Sequence, residues 1–118
     1  MADVTIFHNQ ACSKSRGALE ILEERGVSHD VVRYLETPPD RGTIERILDA
    51  IPDEPQALVR TDDDKFKKLG IPKSDVRTRE QVIDVLLAHP EVMQRPVVLV
   101  GDNAVIARPS EKVLELLD

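Results

Sequence analysis

The apolar positions change period several times along the chain. Val4-Thr5-Ile6-Phe7 is a short β-branched and aromatic run that predicts a strand. Ala18, Leu19, Ile21 and Leu22 then recur at helical spacing over residues 14–25, and Gly26 supplies a natural stop. Val31–Leu35 returns to a strand pattern. The chain therefore opens β-α-β, and a right-handed crossover makes its two strands parallel.

Pro38-Pro39-Asp40 breaks this pattern, and Ile44, Ile47, Leu48 and Ile51 mark a further helix. Asp53 is expected to cap a short helical piece ending near Arg60, and Asp62 another ending at Gly70. Thr78 with Gln81 forms a capping-box pattern ahead of Val82, Val85 and Leu86. After Pro90, Val97–Val100 and Ala104–Ala107 flank Gly101-Asp102-Asn103 and predict an antiparallel hairpin. Ser110 precedes a last amphipathic helix carrying Val113, Leu114, Leu116 and Leu117. This order predicts an α/β, thioredoxin-like fold: a mixed four-stranded sheet, β-α-β then β-hairpin-α, with an inserted helical segment at about 40–89. A single domain over residues 1–118 is expected, because the apolar faces of the inserted helices must cover something.

Composition narrows the function classes. The net charge is −6, aromatic residues are 3% of the chain, and no lysine- or arginine-rich block occurs, so nucleic acid is not an expected partner. With 41% hydrophobic and 32% charged residues and no long apolar run, neither a membrane span nor a disordered chain is expected. Met1-Ala2-Asp3 leads straight into the first strand with no basic or apolar leader, and one cysteine cannot form an intramolecular disulfide. A cytoplasmic protein is the expectation. The acidic balance does not exclude an anionic substrate. Six net charges at ~15 Å in water repel a unit anion by roughly 1.7 kcal/mol before screening, whereas one arginine at ~4 Å attracts it by about 4 kcal/mol at an effective dielectric of 20.

Candidate chemistry centres on Cys12, placed in the polar run His8-Asn9-Gln10-Ala11-Cys12-Ser13-Lys14-Ser15-Arg16 where the first helix begins. Unpaired N–H groups and the helix dipole favour a thiolate there, which makes Cys12 a candidate nucleophile. Ser15 occupies the place of a second thiol in C-x-x-C, so a redox cycle through Cys12 needs an external thiol. Its hydroxyl can hydrogen-bond the thiolate or merely solvate the helix start. His8 can lower the thiol pKa if protonated and can only hydrogen-bond if neutral. Arg60, Arg95 and Arg108 stand at element ends, the last two directly before Pro96 and Pro109, and offer planar donor forks to an oxyanion. A cis Arg95-Pro96 bond is expected beside the cysteine turn. His29 and His89 lack partners at metal-ligand spacing, and no metal site is predicted.

Taken together, His8-Asn9, Cys12, Ser15-Arg16, Tyr34-Leu35-Glu36-Thr37-Pro38, Leu58-Val59-Arg60, His89-Pro90, Arg95-Pro96-Val97-Val98 and Arg108-Pro109-Ser110-Glu111 resemble the glutathione- and glutaredoxin-coupled arsenate reductases. The similarity runs from residue 3 to the C-terminus. It implies that Cys12 is the nucleophile, that His8 and Ser15 tune its pKa, and that Arg60, Arg95 and Arg108 bind arsenate, with Asn9, Arg16 and Pro96 in support. It further implies glutathione as co-substrate, glutaredoxin as partner and no bound cofactor; a monomer is the default expectation. Gln10 stands where many members have proline. Two other readings stay open: an Spx-type regulator that contacts RNA polymerase, and a monothiol glutathione-dependent oxidoreductase with another substrate.

Overall fold

The computed structural model describes residues 4–117. Its core is a sheet in the order β2-β1-β3-β4, formed by β1 (Val4–Phe7), β2 (His29–Val32), β3 (Val97–Val100) and β4 (Asn103–Ile106). β1 pairs in parallel with β2, while β3 is antiparallel to both β1 and β4. This is the mixed four-stranded sheet of a thioredoxin-like fold. Gly101 supplies the positive φ of 60° that the β3–β4 turn requires.

Side-chain alternation divides the sheet into two faces. Val4, Ile6, Val98 and Val105 face α1 (Ser13–Glu24) and the C-terminal segment, in a cluster completed by Ala18, Leu22 and Val113. Phe7, Val97, Leu99, Ala104 and Ile106 face the opposite way, into a larger cluster with the inserted helices. Those are α2 (Arg41–Ala50), α3 (Asp64–Lys68) and α4 (Arg79–Ala88), which contribute Ile44, Ile47, Phe66, Val82, Ile83 and Leu86. The insertion is thus the cover for one sheet face, and its burial is the main force that holds it there.

Several boundaries differ from the sequence expectation. The second strand ends at Val32 rather than Leu35, because its partner β1 ends at Phe7 and the Arg33 carbonyl turns to accept from Glu36 and Thr37. Tyr34 consequently lies in a turn and is fully buried. Asp53 caps nothing: the short helical turn is Pro55–Leu58, a 3₁₀ segment that begins on a proline. Asp63, not Asp62, caps α3 by accepting from the Lys65 N–H at 2.8 Å, while Asp62 pairs with Lys73 at 2.6 Å. The Thr78–Gln81 capping box is present at α4 as expected. The last helix is split into a 3₁₀ turn, Ser110–Val113, and α5 (Leu114–Leu117). Ser110 lies inside that turn and does not cap it, because its hydroxyl donates to the Lys14 carbonyl of α1 at 2.7 Å.

Candidate active site

Cys12 is the N-cap of α1, and its φ of −96° and ψ of 122° bend the chain from the turn into the helix. The turn is held from several sides. The Cys12 N–H donates to the Asn9 carbonyl at 3.0 Å, the Asn9 side chain accepts from the Ala11 N–H at 2.9 Å, and Arg16 reaches back to the Gln10 carbonyl at 3.1 Å. The first turn of α1 carries no acidic residue, so its positive end is not neutralised.

Arg108 is the side chain nearest the sulfur in hydrogen-bonding terms: its Nη1 lies 3.7 Å from Cys12 Sγ. The same nitrogen donates to the Arg95 carbonyl at 2.9 Å. Burial pushes the Cys12 thiol up, but the N–H groups of Ser15 and Lys14, the Arg108 guanidinium and the charge of Arg95 outweigh it. The net result is a thiol below its ordinary range, enriched in the nucleophilic form. The bonds Arg95-Pro96 and Arg108-Pro109 are both cis; the first was expected and the second was not.

Ser15 and His8 differ from the simplest expectation. The Ser15 hydroxyl is fully buried, 2.6 Å from His8 Nδ1, and accepts from the Asn9 N–H at 3.0 Å. It makes no hydrogen bond to sulfur; Ser15 acts on the thiol through its backbone N–H. His8 is 5% exposed, and burial, with the cations Arg33 and Arg16 against a raising contribution from Ser15, holds its pKa below the usual value. A neutral imidazole therefore orients Ser15 and does not supply a charge beside the thiolate.

Arg60 arrives from the insertion. Its N–H donates to the Val92 carbonyl at 2.8 Å, Gln94 N–H donates to the Leu58 carbonyl at 2.7 Å, and Val59 and Met93 form an antiparallel bridge. This short pairing ties the segment carrying Arg60 to the one carrying Arg95. Arg60 and Arg108 line one cleft of about 390 Å³ together with Asp63 and Gln94. Asp63, which sequence reasoning missed, pairs with Arg60 at 2.8 Å. The Lys65 N–H, then Arg60 and Arg95, against burial, hold its carboxyl below the usual range. The only signal for it was the acidic run Asp62-Asp63-Asp64 at a helix start.

Among the described residues, three buried side-chain polar atoms have no hydrogen-bond partner: Tyr34 Oη, Gln94 Oε1 and Arg95 Nε. All three belong to this region. Leaving such an atom unpaired costs about 1–3 kcal/mol, and native chains concentrate that cost where function requires it. No group of three or more His, Cys, Asp or Glu side chains among the described residues could hold a metal ion, and no helix there is long and apolar enough to cross a membrane.

The chain is similar to known proteins over nearly its whole described length. The model of the ArsC family matches residues 7–116. The arsenate reductase of Neisseria meningitidis serogroup A is 36% identical over 118 residues, covering 99% of this chain and all of the relative. A protein of Escherichia coli K12 named YfgD is 39% identical over 115 residues, covering 97% of this chain and 96% of its own. The solved structure of an arsenate reductase from Vibrio cholerae superposes with a TM-score of 0.86 at 33% identity, covering 96% of both chains.

Proposed function

The chain belongs to the ArsC family, and from that premise we propose that it is an arsenate reductase that draws its electrons from glutathione and glutaredoxin. The observation that carries this reading is the approach of Arg108 to the Cys12 sulfur at the open N-terminus of α1, with Arg60 and Arg95 alongside. An oxyanion at that point meets helix N–H groups and cationic forks together.

The Cys12 thiolate attacks arsenic and a protonated oxygen leaves as water, giving a sulfur–arsenic adduct. The glutathione thiolate then attacks the Cys12 sulfur of the adduct; as the sulfur–sulfur bond forms, the sulfur–arsenic bond breaks and its pair stays on arsenic, which passes from As(V) to As(III) and departs as arsenite. Glutaredoxin removes glutathione from the mixed disulfide and regenerates the thiolate. The single cysteine supports this scheme, because no second thiol in the chain can resolve the adduct, and it fits a reducing compartment such as the cytoplasm.

A glutaredoxin-coupled assay that follows NADPH tests this reading on wild type, Cys12→Ser and Arg95→Ala, with arsenate and a model glutathione disulfide as rival substrates. Arsenate-dependent oxidation by wild type alone is expected. Undiminished reduction by Cys12→Ser, or turnover of the disulfide but not of arsenate, overturns it.

A further inference from the structure

Tyr34 is fully buried in the core cluster that also holds Phe7, Val59, Met93 and Val97, yet its hydroxyl has no hydrogen-bond partner. A phenylalanine would fill the same space without the desolvation cost of that oxygen. The hydroxyl also lies within the electrostatic reach of Arg95, Arg60 and Cys12, and the Asn9 side chain lies beside it outside hydrogen-bond geometry. Arg95 carries the complementary defect, since its Nε–H is buried and equally unpartnered. A phenol accepts and donates at one oxygen, whereas Nε–H can only donate. The two groups are therefore matched.

We propose that Tyr34 is a positioning residue for Arg95: its hydroxyl receives the Arg95 Nε–H when an oxyanion occupies the site, and so fixes the guanidinium with its terminal nitrogens toward the anion. Asn9, whose side chain lies beside the phenol, accepts from the Ala11 N–H in the cysteine turn through its Oδ1. Tyr34 in this way links the arginine that holds the anion to the turn that carries the nucleophile. Desolvation by burial is the largest influence on the phenol and raises its pKa, so it stays neutral and hydrogen-bearing through the physiological range.

The proposal rests on the oxyanion reading of the site, and its test does not require turnover. Arsenate or inorganic phosphate is titrated against the rate at which iodoacetamide alkylates Cys12, in wild type, Tyr34→Phe, Arg95→Lys and the double variant. Tyr34→Phe is expected to need about tenfold more anion for half-protection, with a thermal midpoint equal to or above that of wild type. In the coupled assay KM for arsenate rises by a similar factor and kcat changes little. Because Tyr34 acts through Arg95, Tyr34→Phe is expected to cause no further loss in the Arg95→Lys background. Unchanged protection, additive losses, or a thermal midpoint that falls along with affinity would each overturn the assignment. Failure of both anions to protect wild type would overturn the oxyanion reading itself, and this inference with it.

Discussion

Arg108 Nη1 lies 3.7 Å from Cys12 Sγ while donating to the Arg95 carbonyl at 2.9 Å, so one nitrogen is shared between the nucleophile and the loop of a second arginine. The contact lowers the thiol pKa, against the upward push of burial. Alkylation of wild type with iodoacetamide should titrate below the ordinary thiol range, and Arg108→Ala should move the midpoint upward. Loss of a charged donor at the reacting group is expected to cut arsenate reduction by about 10²–10³. An unchanged midpoint would remove Arg108 from the activation of sulfur.

Ser15→Ala separates two ways in which this residue could act. The substitution leaves His8 Nδ1 and the Asn9 N–H without their shared partner, and buried groups so stranded should cost about 1–3 kcal/mol in chemical denaturation. The alkylation midpoint of Cys12 should hardly move, because alanine keeps the backbone N–H that acts on sulfur. A large upward move would mean that the hydroxyl bonds the thiolate directly.

His8 gives the fold a pH dependence of definite sign. Burial, Arg33 and Arg16 hold its folded pKa below the unfolded value of about 6.5, so between the two the unfolded chain binds more protons. The contribution of His8 is complete above the unfolded value and is lost as pH falls below it toward the folded one. The thermal midpoint of wild type should therefore decline on acidification from neutrality, and His8→Gln should flatten the decline. Equal slopes for the two proteins would show that His8 is not the titrating group.

Gly17 is the point where α1 meets the segment after Arg108. A Cβ built there would come within 2.6 Å of Ser110 Oγ and 3.2 Å of Ser110 Cβ. Ser110 cannot yield freely, since its hydroxyl holds the Lys14 carbonyl at 2.7 Å. Gly17→Ala is expected to destabilise by about 1–3 kcal/mol, despite the better helix propensity of alanine, and to lower activity by displacing Arg108. Denaturant unfolding beside the coupled assay checks both effects; a gain in stability would mean that the approach is slack.

The strands, α1, α2, α4 and the capping box were legible because each depends on local periodicity or on a short chemical pattern. The cysteine turn was legible because thiol, polar neighbours and helix start are contiguous in the chain. The partnership of His8 with Ser15 was not, since the two stand seven residues apart, one just after β1 and the other in α1, and only tertiary geometry shows that they face each other. Asp63 was hidden in an acidic run that reads as a solvated helix start, and its pairing with Arg60 depends on the insertion's path. Tyr34 was placed in a strand by its β-branched neighbours, whereas the end of β1 deprives that strand of a partner and turns the phenol inward.

The bridge between Val59 and Met93 sets the boundary for any attempt to transplant this chemistry. Because the backbone around it exchanges bonds between Leu58 and Gln94 and between Arg60 and Val92, the helical insertion and the approach to β3 form one piece with a seam that no cut at residue 89 respects. A chimera that borrowed only the inserted helices would keep Arg60 but lose the partner strand that aims it. One that borrowed only the sheet would keep the thiolate with Arg95 and Arg108 but lose Arg60. A graft that moves residues 58–96 as a block carries both arginines in register, and recombination between relatives should tolerate crossovers outside that block far better than within it.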